Sequence, residues 1–376
     1  MRKYQQCSIC LMDTSDSKIV FNSEGVCDYC LGYKKNIDIS SNNSLSNQVE
    51  LNRIVSKIKI YGKTKKYDCI IGLSGGADSS YLLYYAVEKL NLRPLVYCVD
   101  TGWNLNVAIE NIEKLVKKLN VDLYTEVINW NEMKDLQRAF FYSSVPYQDT
   151  PQDQAIFAGL YNFAVKNKIK YVLTGSNMNT EGIRPPIEWV YINDLTLQKD
   201  IHRRYGKVPQ KTMPMASMIK YRILYQYIFG MKRIYLLDLI EYKKEDAERL
   251  LFEKFGWQKY NNKHYENIFT RFYEGYYLPK KFGFDKRKCY LSNMILSNQI
   301  SKTEALKLLN SNPYEENLMK KDLEYIAKKL DFSVEEFNDL INSNGKSFKD
   351  YKNSFWLLSF FIKFAQFIGD EKREFR

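Results

Sequence analysis

The sequence predicts an α/β protein: a parallel twisted sheet with helices on both faces, preceded by a small cysteine-held unit and followed by a mainly helical carboxyl-terminal region. Three observations predict it. Short apolar runs alternate with helical patterns from residue 67 to about residue 174, and such alternation argues for a parallel sheet covered on both sides by its crossover helices. The first of these runs, Tyr67-Asp68-Cys69-Ile70-Ile71-Gly72-Leu73, leads through Ser74-Gly75-Gly76-Ala77-Asp78-Ser79 into a helical segment. Near the amino terminus four cysteines stand as two Cys-x₂-Cys pairs, Cys7/Cys10 and Cys27/Cys30.

Taken in order, the cysteine pairs come first. Four thiolates at this spacing suit a tetrahedral structural zinc site, and in a reducing compartment metal is favoured over disulfides. A [4Fe–4S] cluster on the same thiolates, or unliganded thiols, are the alternatives. A closed Cys₄ site leaves no open position, so residues 1–35 are expected to be a zinc ribbon that folds and docks. Residues 36–66 then form a Ser/Asn-rich linker and a helix, with the helical pattern over 49–60. A nucleotide domain over 67–230 follows: strand 69–73, helix 79–90, strand 95–99, helix 106–119, strand 122–127, helix 151–167 and strand 171–174. Residues 219–240 are apolar but carry Lys220, Arg222, Lys232 and Arg233, which predicts an amphipathic helix. Residues 231–376 are expected to be a helical substrate or partner domain with helices over 243–255, 302–309, 316–330, 333–341 and 354–367, several opened by Ser, Thr or Asp caps. The last contains Lys363 and Gln366 and is shorter than the roughly 18 apolar residues of a membrane span. Cys69 and Cys98 fall in predicted buried strands, where a free cysteine acts as a small hydrophobe; Cys289 stands alone.

The chain has 376 residues, of which 45% are hydrophobic and 15% aromatic, enough for the cores of two or three domains. Its formal charge of +12 suits acidic partners such as nucleotides and phosphorylated sugars. The basic residues are spread along the whole length, so a nucleic-acid partner is not expected. Met1-Arg2-Lys3-Tyr4-Gln5-Gln6 leads into cysteines without an apolar core, so no signal peptide and a cytoplasmic location are expected. The basic run 280–288, interrupted by Phe282, Gly283 and Phe284, is either a solvated face or an anion-binding loop.

The glycine turn carries the chemistry. Gly75 and Gly76 give the backbone freedom and remove Cβ atoms where an anion must approach, and the helix beginning near Ser79 points N–H groups and a positive dipole end at it. No lysine follows the glycines, as one would in a loop built for γ-phosphoryl transfer; an acid, Asp78, sits inside instead. The S-G-G-x-D-S pattern resembles the PP-loop of the ATP pyrophosphatases, whose fold is the adenine-nucleotide α-hydrolase type. That resemblance implies ATP cleaved between its α- and β-phosphates, adenylation of a substrate oxygen, and Mg²⁺ held with the help of Asp78 against the departing pyrophosphate. It further implies nucleotide contacts at Ser74, Gly75, Gly76, Asp78, Ser79 and Ser80. At the ends of two other strands, where ligands gather in such sheets, Asp100, Thr101, Gly175 and Ser176 would cradle the adenosine and α-phosphate.

Several further stretches narrow the resemblance: Pro151-Gln152-Asp153-Gln154-Ala155-Ile156-Phe157, Leu173-Thr174-Gly175-Ser176-Asn177 through Glu181-Gly182, Ile201-His202-Arg203-Arg204-Tyr205-Gly206, His264-Tyr265-Glu266, Phe269-Thr270-Arg271-Phe272 and Lys281-Phe282-Gly283-Phe284-Asp285-Lys286-Arg287. With the cysteine ribbon and the loop they resemble the N-acetyl sugar amidotransferases of bacterial surface-polysaccharide and flagellin-glycan synthesis, a group that includes lipopolysaccharide O-antigen and pseudaminic acid pathways. The resemblance implies an N-acetyl sugar as substrate, free or nucleotide-linked, with catalytic roles for Ser74, Asp78, Lys281 and Arg287. Asp153, Glu181, His202, Arg203, His264, Arg271, Asp285 and Lys286 become substrate candidates. No cysteine sits in a recognisable glutaminase context, so ammonia is expected from a separate glutaminase subunit through a cyclase-like channel subunit. Two rival readings remain: a PP-loop tRNA-modifying enzyme of thiolase or lysidine type, and a non-catalytic nucleotide-binding subunit, against which the acid at Asp78 argues.

Overall fold

The computed structural model describes residues 2–33, 44–191, 194–260, 265–312 and 314–367. At its centre lies β1 (Cys69–Gly72), whose Cys69, Ile70 and Ile71 are fully buried. A short apolar run buried on both faces is what a central parallel strand requires. β1 pairs on one side with β2 (Pro94–Asp100), which pairs with β3 (Leu123–Val127), and on the other with β4 (Tyr171–Leu173), which pairs with β5 (Lys232–Ile234). The order is β3-β2-β1-β4-β5 and every pair is parallel, with Ile70 registered against Leu95 and Val172. The chain winds outward from β1 to β3, then returns to β4 on the other side. This reversal opens a crevice beyond the carboxyl ends of β1 and β4.

Helices cover both faces, as expected. On one, α2 (Ala77–Tyr84), which continues as a wider turn to Lys89, and α3 (Asn106–Leu119) pack Leu82, Leu83, Ile112 and Leu115 against Ile71, Leu73 and Val96. α1 (Ser44–Gly62) joins the same face through Leu51 and Ile58. On the other, α5 (Thr150–Lys166) places Ala158, Tyr161 and Ala164 against Ile70, Leu95, Tyr97 and Val172. Asn120 ends α3 in the left-handed region, at φ +49°, where a short polar side chain is tolerated.

Two helices absent from the sequence reading, α4 (Trp130–Ser143) and α6 (Leu195–Tyr205), pack on one another above the β3 side, sharing a core of Met133, Phe140, Leu197 and Ile201. The expected amphipathic helix over 219–240 is split. Lys220–Ile228 is helical with a wide turn, Gly230 takes φ +62°, and β5 follows. The fifth strand thus lies just past the boundary expected at residue 230. α7 (Lys244–Phe255) also packs on α2, adding Leu251 and Phe255 to the sheet core.

The remaining chain is helical, as read. Three consecutive turns, Ile268–Phe272, Tyr273–Tyr277 and Leu278–Phe282, lead to α8 (Arg287–Leu296), α9 (Lys302–Asn310), α10 (Glu316–Lys329), α11 (Val334–Asn342) and α12 (Phe355–Phe367). Ser301 and Ser333 cap α9 and α11, the former with Glu304 in a reciprocal capping box. Trp103, from the turn after β2, and Phe141 of α4 lie in one aromatic core with Phe269, Phe272, Tyr277 and Phe337. The helical region is therefore joined to the carboxyl edge of the sheet by shared packing. Among the described residues, no helix is long and apolar enough to cross a membrane.

Candidate functional site

The turn after β1 is preformed. Gly75 has φ +83°, and a Cβ there would stand 2.8 Å from the Ala108 carbonyl oxygen, so both strain and space demand glycine. Its own carbonyl accepts from Trp257 Nε1 at 2.9 Å and the Tyr260 hydroxyl at 3.2 Å. Within the turn, the Ser74 N–H reaches Ser79 Oγ at 3.3 Å, the Gly76 N–H donates to Ser74 Oγ at 3.2 Å, and Ser79 Oγ donates to the Gly76 carbonyl at 3.2 Å. Asp78 sits in the first turn of α2 and accepts from the Tyr242 hydroxyl. Burial and the neighbouring Asp78 push that phenol far above its usual pKa. Across the crevice, a Cβ on Gly175 would lie 2.9 Å from the Ser79 nitrogen, so the turns beyond β1 and β4 touch.

These turns wall a cavity of about 430 Å³, bordered also by Thr101, Asp149, Asp153, Glu181, Glu274 and Lys286. It is continuous with a larger chamber of about 1180 Å³: Asp153, Ser176, Glu181, Arg233, Lys244, Glu274 and Lys286 line both. Lys286 pairs with Glu274. Burial pushes the Asp153 carboxyl up to about 7; Lys286 pulls against that shift and Glu274 adds to it. Asp149 is raised well above the carboxylate range by burial, reinforced by Asp153 and Glu274.

The expected site residues divide. Ser74, Gly76, Asp78, Ser79, Thr101, Asp153, Gly175, Ser176, Glu181 and Lys286 line the smaller cavity, and Arg287 lines the chamber. Gly75 supports the turn from behind. Asp100 turns back to accept the Gly102 N–H at 2.8 Å. Ser80 is fully buried and its hydroxyl has no partner. Lys281 lies outside both cavities and closes the end of α11, donating to the Ser343 carbonyl at 2.9 Å and to that of Leu340 at 2.5 Å. Asp285 is held by Arg287 at 2.8 Å. His202 meets Asp135 at 3.2 Å and the Val208 carbonyl at 2.9 Å, and Arg203 pairs with Asp200 at 2.5 Å, both on α6 away from the cavities. Arg271 is buried in a two-point pair with Asp322, at 2.8 and 2.9 Å. His264 lies outside the described residues. Sequence reasoning missed Asp149, Arg233, Lys244, Tyr260, Glu266 and Glu274. Asp149 was nonetheless within reach, standing four residues before Asp153 and so on the same helical face.

The four cysteines converge in a buried group, their sulfurs all within 4.8 Å of one another and at 3.6–3.7 Å for three pairs. A single ion with metal–sulfur bonds of about 2.3 Å in a tetrahedron has sulfur–sulfur edges of about 3.8 Å, so the donor set fits zinc. In a four-iron cluster each thiolate binds a different corner and the sulfurs stand further apart. The ribbon docks on the carboxyl-terminal helices: the Leu11 N–H donates to Ser292 Oγ at 3.0 Å, Lys302 Nζ to the Cys7 carbonyl at 2.7 Å, and Lys288 pairs with Asp13 at 2.6 Å. Trp189 packs into the same cluster.

Residues 266–364 match the model of the WbpG-like C-terminal domain of LPS biosynthesis proteins. An uncharacterized protein of Methanocaldococcus jannaschii is 30% identical over 178 residues, which are 46% of this chain; the chain spans 59% of that relative's length. Three solved structures are similar only loosely. NMN synthetase from Francisella tularensis aligns with a TM-score of 0.28 and 14% identity over 58% of this chain and 99% of its own. The NH3-dependent NAD synthetase from Campylobacter jejuni gives 0.29 and 18% over 55% and 83%. The U34-tRNA thiolase NcsA from Methanococcus maripaludis, with its [4Fe-4S] cluster, gives 0.33 and 13% over 87% and 89%.

Proposed function

We propose that this chain is an ATP-dependent amidotransferase that converts the acetamido group of an N-acetyl sugar into an acetamidino group in surface-polysaccharide synthesis. One observation carries the reading. The segment that matches a lipopolysaccharide-biosynthesis domain contributes Glu266, Asn267, Thr270, Tyr273, Glu274 and Lys286 to the same cavity wall that faces Ser74, Asp78 and Ser79. The glycine turn and the matched segment thus line one cavity, which supports a nucleotide and a sugar bound side by side.

The chemistry follows from the groups present. An amide carbonyl is a poor electrophile. Its oxygen attacks the α-phosphorus of ATP, pyrophosphate leaves, and the resulting imidate has AMP as a good leaving group. Ammonia then forms the new C–N bond, and the C–O bond breaks toward AMP. The turn at Gly75 and Gly76 and the start of α2 hold the leaving phosphates in a fixed polar setting. Magnesium at Asp78 would neutralise charge there. The step needs no side-chain nucleophile. Burial holds the two thiols beside the cavities protonated, Cys98 pushed up to about 11 and Cys289 higher still, and thiolation or glutaminase chemistry requires thiolates. Ammonia would be supplied by a separate glutaminase through a channel subunit. The ribbon would hold structural zinc, and the protein would act in the cytoplasm.

The test is incubation with ATP, Mg²⁺, ammonium and a panel of free and nucleotide-linked N-acetyl sugars. AMP, pyrophosphate and a product lighter by the difference between O and NH are expected; ADP and orthophosphate would overturn the reading.

A further inference from the structure

We infer that Asp149, Asp153 and Thr150 form an ammonium-binding end of the smaller cavity, and that the Asp153 carboxylate takes the proton ammonium must lose before its nitrogen attacks. This rests on the proposed amidination and adds the site of its second substrate. Asp149 precedes α5 and Asp153 lies one turn into it, so both carboxyl groups face the same wall. Opposite them Glu274 and Lys286 pair with each other and offset one another's charge. Glu181 and Arg233 line the same walls with opposite signs. Lys286 also acts on both aspartates, but it is shared with Glu274, so three acids face one buried ammonium group at this end of the cavity, an environment that attracts a further small cation.

Two observations point to a ligand there. Thr150 is 1% exposed, lines the cavity, and its hydroxyl has no partner; a buried hydroxyl without one costs free energy unless something fills the place. Asp149 is steadied by Gln152 Nε2 at 3.0 Å and Thr270 Oγ1 at 3.2 Å, whereas no side chain donates to Asp153 among the described residues. Ammonium carries four donors and fits a ring of acceptor oxygens from the Asp153 carboxylate, the Asp149 carboxyl and the Thr150 hydroxyl. One N–H proton passes to Asp153, the freed lone pair makes the C–N bond, and the C–O electron pair departs on AMP. The carboxyl, raised by burial against Lys286 and with Glu274, titrates near 7, close to the working pH of an efficient proton acceptor. Tyr273, facing both aspartates, stays protonated.

The experiment separates two half-reactions. Sugar-dependent ATP–pyrophosphate exchange without ammonium reports adenylation, and its absence in the wild type would sink the proposed function rather than this inference. Given exchange, Asp153→Asn is expected to retain it, while amidine formation with ammonium chloride falls by about 100-fold and the rise in rate through neutral pH disappears. Thr150→Val, nearly the same shape, should raise the KM for ammonium with little change in kcat. Loss of exchange in step with amidination in both variants would overturn the inference. So would a changed magnesium requirement in Asp153→Asn, which would make the acids a divalent-cation site.

Discussion

At the scale of single residues, Asp78 and Lys281 make an instructive contrast, since the sequence offers both as catalytic. Asp78 lies in the cavity with its carboxylate held by Tyr242; Lys281 spends its donors on the last carbonyls of α11. Asp78→Ala is expected to abolish pyrophosphate release while leaving the circular dichroism spectrum intact. Lys281→Met should keep turnover but lower stability by about 1 kcal/mol, the usual worth of a cation at a helix carboxyl end, read by urea titration. Ser74 to Ser79 were legible because a positive-φ glycine and the serines around it act locally, within a few residues. Arg271 and His202 were not, because their partners, Asp322 and Asp135, stand 51 and 67 residues away. A sequence displays a charge without displaying what neutralises it.

Among elements, the strands flanking the loop and most carboxyl-terminal helices could be read because their periodicity and caps are self-contained. β5 could not. Its three residues, Lys232-Arg233-Ile234, are polar for a strand and become one only by pairing with β4, and Gly230 breaks the helical run that hides them. The ribbon's docking carries its own pH dependence. Burial alone would raise the Asp13 carboxyl, yet Lys288 and Ser15 outweigh it and hold the group below its ordinary range. A depressed folded-state pKa gives stability that is present above the unfolded value and lost as pH falls through the folded one. Hydrogen-exchange protection over residues 7–30 and 287–296, relative to the unfolded chain at the same pH, should therefore fall in acid, below about pH 4. A strong chelator at neutral pH should expose the same segments; unchanged protection would contradict a metal-held ribbon.

For the whole molecule, the shared aromatic core of Trp103, Phe141, Phe269 and Phe337 ties the sheet to the helical region, so one cooperative unfolding transition is expected. Asp322→Ala would leave Arg271 buried without its partner and should cost about 3–5 kcal/mol, moving that single midpoint rather than splitting it in two. The fold class was legible from alternation alone, but the continuity of the two cavities was not, since it depends on how Lys286 and Glu274 are carried back over the crevice. The ribbon bears on the order of assembly too. Leu11 finds its partner on Ser292, 281 residues later, and domains emerge from synthesis amino terminus first. Residues 7–30 must therefore wait until residue 292 has been made before they can dock. Until then those four sulfurs lack the helices that finally shelter them.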